Sequence, residues 1–205
     1  MKICVALTKG RLEKQFLRFL QSLHYDTKPL EHKGRKLRVQ TDRFDFIFAK
    51  GADAATYVEH GIADLGIVGE DILLEFKPDV YDLIAMPFGE CRFAVAGKPA
   101  APVLNQKKKI ATKYPNITSA FFREKGESVD IVKLEGSVEL APILGLADAI
   151  VDIVETGHTL AENGLVVQEE LFSFTARCIA NRSSLKIKNS ALSPLIQSFR
   201  TKEEV

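Results

Sequence analysis

The strongest constraint on this chain is an alternation. Apolar runs of strand length give way, again and again, to segments of helical periodicity. KICVAL (2–7) reads as a strand. After TKGRL comes a helix with Leu12, Phe16, Phe19, Leu20 and Leu23 on one face. KLRVQ and FDFIFA (44–49) read as strands, ADAATYVEHG as a helix closed by Gly61, ADLGIVG as a buried strand and EDILLEF as a short helix. YDLIAMPFGECRFAVAG holds two apolar runs joined by PFGE. KKKIATKYPNITSAFFREKG reads as a short strand and then a helix opened by proline, and SVDIVKLEG as a strand. SVELAPILGLA is predicted as a helix with Ser137 as its N-cap. DAIVDIV is a strand, and LVVQEELFSFTARCIANR holds one or two more. The tail SSLKIKNSALSPLIQSFR is helical, with Pro194 either opening a helix capped by Ser193 or kinking one. TKEEV is polar and expected to fray.

This order predicts an α/β fold with mostly parallel sheets. The chain is expected to cross between two lobes near PFGECR and again near residue 170. Lobe I is then 1–89 plus 172–205. Lobe II is 90–171. A hinged cleft is expected between them, with ligands at the carboxyl ends of strands.

Charge narrows the partners. The formal net charge is +1 over 205 residues. Nothing global draws such a chain to nucleic acid or an anionic membrane. No run approaches a membrane span, and the first residues lack the apolar core of a secretion signal. Cys4, Cys91 and Cys178 are odd in number, far apart and outside any C-x-x-C pair. They read as small buried hydrophobes rather than disulfide partners or zinc ligands. A cytoplasmic location and no protein-held metal are the expectations.

The segment IVDIVETGHTLAENG carries the chemistry. Ile150 to Val154 form a strand, Thr156 to Thr159 a turn, and TLAENG a short helix ending near Gly164. A turn at a helix N-terminus presents unpaired N–H groups to an anion. Gly157 permits positive φ or close approach, and Thr156 and Thr159 add hydroxyl donors. Asp152, one step back, suits a sugar's vicinal hydroxyls or Mg²⁺. Phosphate, ribose and Mg²⁺ together describe phosphoribosyl pyrophosphate (PRPP). A helix cap and a strand end would leave the same residues. The common phosphoribosyltransferase motif has adjacent acids before the turn. Here Asp152 and Glu155 are split by Ile153 and Val154, and on a continuous strand they face opposite sides.

ALTKGRL, DLGIVGED, GECRFAVAG, IATKYPN and the long block from Leu134 to Leu165 occur in one order along almost the whole chain. Together they closely resemble the ATP phosphoribosyltransferase family, the first enzymes of histidine biosynthesis. The resemblance implies a two-lobed core of the periplasmic-binding-protein type II fold. Long members append a histidine-binding regulatory domain; this chain is expected to be the short form without it. Its implied partners are a second catalytic chain and a regulatory subunit resembling histidyl-tRNA synthetase, in a hetero-octamer. The implied reaction joins N1 of the ATP adenine to C1 of PRPP, with Mg²⁺ on the substrate.

By that resemblance Arg11 and Arg35 serve the departing pyrophosphate. Asp152, Glu155, Thr156, Gly157, His158, Thr159 and Leu160, with Ser137 and Glu139, hold PRPP. Lys9, Gly10, Lys50, Asp53, Glu70 and Arg92 hold ATP. One segment departs from the family pattern. Lys50 stands where members carry Arg and Ala55 where they carry Pro, so the charge remains but the two-pronged fork is lost. A solute-binding protein of the same fold is the main rival reading; it predicts a signal peptide or a fused DNA-binding domain.

Overall fold

The structure is a computed structural model that describes residues 2–99 and 107–200; the TKEEV tail lies outside them. The chain folds into two units. One is Met1–Glu90 with Phe174–Val205, the other Cys91–Ser173.

The first unit is built on a six-stranded sheet. Its strands are β1 (Ile3–Thr8), β2 (Arg38–Gln40), β3 (Phe44–Ala49), β4 (Leu65–Gly69), β5 (Tyr81–Ala85) and β11 (Ala176–Ala180), in the order β2-β3-β1-β4-β11-β5. The two-residue period of the strands sorts side chains into two layers. Val5, Leu7, Leu65, Ile67, Ala176 and Cys178 face one core. There they meet Leu12, Phe16, Phe19 and Leu20 of α1 (Arg11–Ser22) and Leu192, Leu195 and Phe199 of α9 (Asn189–Arg200). Ala6, Val68 and Ile179 face the other, against Ala54, Ala55 and Val58 of α3 (Gly51–Glu59) and Ile72 of α4 (Glu70–Phe76). A Cβ at Gly66 would fall 2.7 Å from the Val58 side chain, so glycine there lets α3 lie close on β4. Phe199 meets Phe16 and Phe19 at 6.0 and 5.4 Å between ring centroids, which seats α9 on α1.

Buried Asp64 ties the start of β4 to the C-terminal helices. It accepts from the Cys4 N–H at 2.9 Å, the Ser184 hydroxyl at 2.7 Å and the Lys188 ammonium at 2.7 Å. Asn181 caps α8 (Arg182–Ile187) by accepting from the N–H groups of Ser183 and Ser184.

The second unit holds β6 (Cys91–Gly97), β7 (Lys108–Thr112), β8 (Val129–Lys133), β9 (Ala149–Val154) and β10 (Val166–Phe174), ordered β10-β6-β9-β7-β8. Ala94, Ala96, Ala111, Ile150 and Val154 pack with Val138, Ala141, Leu160 and Leu165 in one core. Helix α5 (Pro115–Glu124) opens at its proline.

Three local expectations are corrected. The sheets are mixed rather than mostly parallel. β1 runs parallel to β3 and β4, and β7 to β8 and β9, but β11 is antiparallel to both β4 and β5, β2 to β3, and β6 to β9. Strand β11 returns late and enters between β4 and β5, a placement set by distant pairing. The helix expected from Ser137 is only α6 (Leu140–Ile143), with Glu139 rather than Ser137 at its N-cap position. Gly145, at φ 73°, follows and the chain leaves the helical path. Finally, of the two readings of Pro194 the helix start is overturned: Pro194 lies inside α9, and the division between α8 and α9 falls at Lys188.

The cysteines form no disulfide. Cys91 and Cys178 are buried as expected, whereas Cys4 is half-buried. Burial pushes the Cys178 thiol up to about 12. Burial, reinforced by the Asp45 and Asp64 charges, pushes Cys4 up to about 11. Neither is poised as a nucleophile at neutral pH.

Candidate active site

Strand β9 delivers its last residues to a turn. It pairs with β6 so that Asp152 lies opposite Ala94 and Val154 opposite Arg92. The half-buried Asp152 carboxylate accepts the N–H of Ile153 at 2.8 Å. β9 ends at Val154, so Glu155 is the first residue of the turn and is exposed. The alternation that would set Asp152 and Glu155 on opposite faces therefore stops before Glu155. Gly157 takes φ 77°, which L side chains rarely adopt, and α7 (His158–Glu162) starts directly after it. The Thr156 hydroxyl oxygen accepts the His158 N–H at 3.3 Å.

Thr159 and Leu160 stand in the first turn of α7, within the helix expected over TLAENG. First-turn N–H groups lack an intrahelical acceptor. Thr159 is exposed, while Leu160 is 6% exposed and packs in the core, so only its backbone is offered to a ligand. The His158 ring sits 3.2 Å from the Glu162 carboxylate on the open face of α7. Exposed Ser137 and half-buried Glu139 occupy the loop before α6. That loop shares the α7 core through Val138, and Ser137 lines a cavity of about 300 Å³ with Leu134, Glu135, Gly136 and Leu140.

The other candidates gather in the first unit. Lys9, Gly10 and Arg11 follow β1, Lys50 and Asp53 follow β3, and Glu70 follows β4. These are three adjacent parallel strands, so the residues collect at one carboxyl edge of the sheet and at the starts of α1, α3 and α4. The Lys9 N–H donates to the Ala49 carbonyl at 2.9 Å, and the Thr8 hydroxyl to the Ile67 carbonyl at 2.9 Å, lacing the three strand ends together. Gly10 has φ 94°. Arg11 reaches the Glu90 carbonyl at 3.5 Å. Arg35 is exposed in the turn before β2. Because β2 is antiparallel to β3, and the Phe48 N–H bonds Leu37, that turn lies at the same edge.

Arg92 is the remaining ATP candidate. It lies in the second unit on β6, with Nε 2.9 Å from a Glu170 carboxylate oxygen, at close approach without hydrogen-bond alignment. Among the described residues no group of three His, Cys, Asp or Glu side chains is placed to hold a metal ion. No helix among them is long and apolar enough to cross a membrane. Sequence reasoning passed over Thr8 and Thr112. Both are threonines at a strand's end, and only that position hinted at their hydroxyls lacing strands together.

Comparison with known proteins follows the same lines. The family described as ATP phosphoribosyltransferase (HisG) matches residues 50–201. An ATP phosphoribosyltransferase of Bacillus cereus strain AH187 is 54% identical over 197 residues, covering 95% of this chain and 93% of the relative. One from Bacillus anthracis is also 54% identical over the same shares. Among solved structures, the ATP phosphoribosyl transferase (HisG:HisZ) complex from Thermotoga maritima is similar at 32% identity and a TM-score of 0.83, covering 97% of each chain. The periplasmic aliphatic sulphonate binding protein SsuA from Escherichia coli, 14% identical, reaches a TM-score of 0.66 over 99% of this chain and 75% of its own, a likeness of fold alone. The expected periplasmic-binding-protein-like type II α/β fold is the observed one.

Proposed function

The chain belongs to the ATP phosphoribosyltransferase family, and from that premise we propose how its residues divide the work. The reaction is the first of histidine biosynthesis: the phosphoribosyl group of PRPP passes to N1 of the ATP adenine and pyrophosphate leaves. N1 brings its own lone pair, so the attacking atom requires no activating base. The C1–O bond breaks with its electron pair on pyrophosphate while positive charge builds on the ribose. Positioning and electrostatic stabilisation therefore supply the catalysis.

The observation that carries the assignment is the Gly157 turn at the end of β9, with Asp152 on the strand behind it. The 5′-phosphate sits on the backbone of Thr156, Gly157, His158, Thr159 and Leu160, with the threonine hydroxyls as further donors. Asp152 accepts from the ribose hydroxyls; Glu155, Ser137 and Glu139 flank the sugar. Arg11 and Arg35 hold the leaving pyrophosphate in two-point fashion. Lys9, Gly10, Lys50, Asp53 and Glu70 receive ATP at the first unit's carboxyl edge, and Arg92 contributes from β6. Mg²⁺ carried by the substrate's phosphate oxygens, which suit a hard cation, would supply charge neutralisation to the leaving group. On this reading lobe II is the unit that binds PRPP.

We assign the chain to catalytic homodimers that assemble with a regulatory subunit resembling histidyl-tRNA synthetase, as hetero-octamers, in the cytoplasm. The two-component composition of the Thermotoga complex supports this.

The test is a calorimetric titration with PRPP and Mg²⁺, with and without the regulatory subunit. Saturable binding that Asp152→Ala and Thr159→Ala each weaken is the expected result. Unchanged affinity in both variants refutes the cradle. Arg11→Ala is expected to slow turnover of bound substrate; a loss of binding alone refutes its leaving-group role.

A further inference from the structure

The orientation of Asp152 has a cause outside its own strand. On one side β9 is laddered to β6 through Asp152 and beyond, to the Arg92–Val154 pair. On the other side the parallel register with β7 stops at the Thr112–Val151 pair. The chain bends at Lys113 and enters α5, so β7 has no further backbone to offer Asp152. The Thr112 side chain takes over. It is 0% exposed, and its hydroxyl donates to the Val151 carbonyl at 2.7 Å.

That carbonyl belongs to the peptide whose nitrogen is Asp152. The same hydroxyl oxygen accepts the Tyr114 N–H at 2.9 Å, so the donor is held in one rotamer. The Tyr114 ring packs edge-on against Phe93 at 4.9 Å between centroids, and Phe93 lies opposite Ile153 in the β6–β9 ladder. Contacts from Thr112 thus return to β9 on the far side of Asp152. The Asp152 carboxylate is itself bonded to the Ile153 N–H. Both peptide planes that aim this carboxylate are therefore set: the preceding one by Thr112, the following one by Asp152 itself.

We propose that Thr112 is a positioning residue for the reaction, its hydroxyl aiming Asp152 at the ribose of PRPP. The inference rests on the reading of Asp152 as the ribose-binding carboxylate. It assigns a substrate-specific role to a buried side chain that touches no substrate. Thr112→Val keeps the shape and removes the hydroxyl; Thr112→Ser keeps the hydroxyl and removes a methyl.

Steady-state kinetics of the full chain with its regulatory subunit and Mg²⁺ provide the test, beside a calorimetric PRPP titration of the wild type. Thr112→Val is expected to raise KM for PRPP about tenfold, the size of one lost buried hydrogen bond, with KM for ATP little changed. Thr112→Ser is expected to restore KM for PRPP, although it also loses stability with the buried methyl. Affinity then follows the hydroxyl and not the melting temperature. If both KM values rise together, or if serine fails to restore the first, Thr112 is only a structural residue. Wild-type PRPP binding with an unchanged Thr112→Val overturns this inference alone. Absence of wild-type PRPP binding, with the subunit present, overturns it together with the PRPP site.

Discussion

Gly157→Ala isolates what the turn contributes. The glycine holds φ 77°. A Cβ built there meets only Val154 Cγ1, at 3.8 Å, an ordinary contact, so neighbours add no cost. What remains is the left-handed backbone, worth about 1–2 kcal/mol for a residue with a Cβ. Gly164 provides a matched control at the far end of α7. It holds φ 68°, and a Cβ there meets nothing within 4 Å. Both alanine variants should carry the same strain and lose a similar few degrees of melting temperature, at roughly 2–4 °C per kcal/mol for a chain of this size. Only at Gly157 does relaxing that strain move N–H groups proposed to hold the 5′-phosphate. The competent turn is then depopulated by about 5- to 30-fold, and PRPP affinity should fall by that factor. Differential scanning calorimetry and PRPP titration of the two variants read both quantities. PRPP binding within about twofold of wild type in Gly157→Ala, alongside a lowered melting temperature, refutes a backbone cradle at this turn. An equal affinity loss in Gly164→Ala shows that the effect is one of general stability.

Two further predictions concern the first unit. Asp64 is 3% exposed and bonds Cys4, Ser184 and Lys188, so Asp64→Ala leaves an ammonium and two other donors without their acceptor. Urea denaturation should show a loss of about 3–5 kcal/mol, and a loss below about 1 kcal/mol refutes the tie. A hydrogen bond from Arg38, aided by Gln40 and the Arg38 and Lys2 charges, holds the Asp45 carboxyl below its usual range against a smaller opposing effect of burial. A depressed folded pKa gives stability that is fully present above the unfolded value of about 3.9 and lost as pH falls through the folded value. Asp45→Asn should therefore melt below wild type at neutral pH, with the gap closing as the pH drops below about 4. A gap that stays constant from neutral to strongly acid pH refutes the linkage.

Most of the candidate site was legible as short-range pattern. IVDIVETGHT shows the strand, the glycine turn and the hydroxyls within ten residues, and the backbone follows that reading closely because φ preference and first-turn geometry are local. The limits of the elements were less legible. Whether Asp152 and Glu155 share one strand is not legible, because an apolar run does not announce where a strand stops. α6 is a single turn although SVELAPILGLA has helical character, since Gly145 ends it early. Pro194 lies within α9 although its chemistry allowed a helix to start there; Leu192, Leu195 and Phe199 are buried on either side of it, and tertiary packing carries the helix through.

By itself, then, the sequence determined the alternation of elements, the buried face of α1, the glycine turn after β9 and, through its long block of resemblance, the family. Tertiary structure alone decided that β11 enters antiparallel between β4 and β5. It also decided that Asp64 meets residues 60, 120 and 124 positions away, and that the Thr112 hydroxyl reaches a carbonyl 39 positions on. The division has a physical reason. Helical and strand periods, caps and turn φ values are settled among residues a few bonds apart. Strand order and buried polar contacts depend on loop closure and on which distant surfaces must be desolvated together, and no short stretch of chain contains both partners.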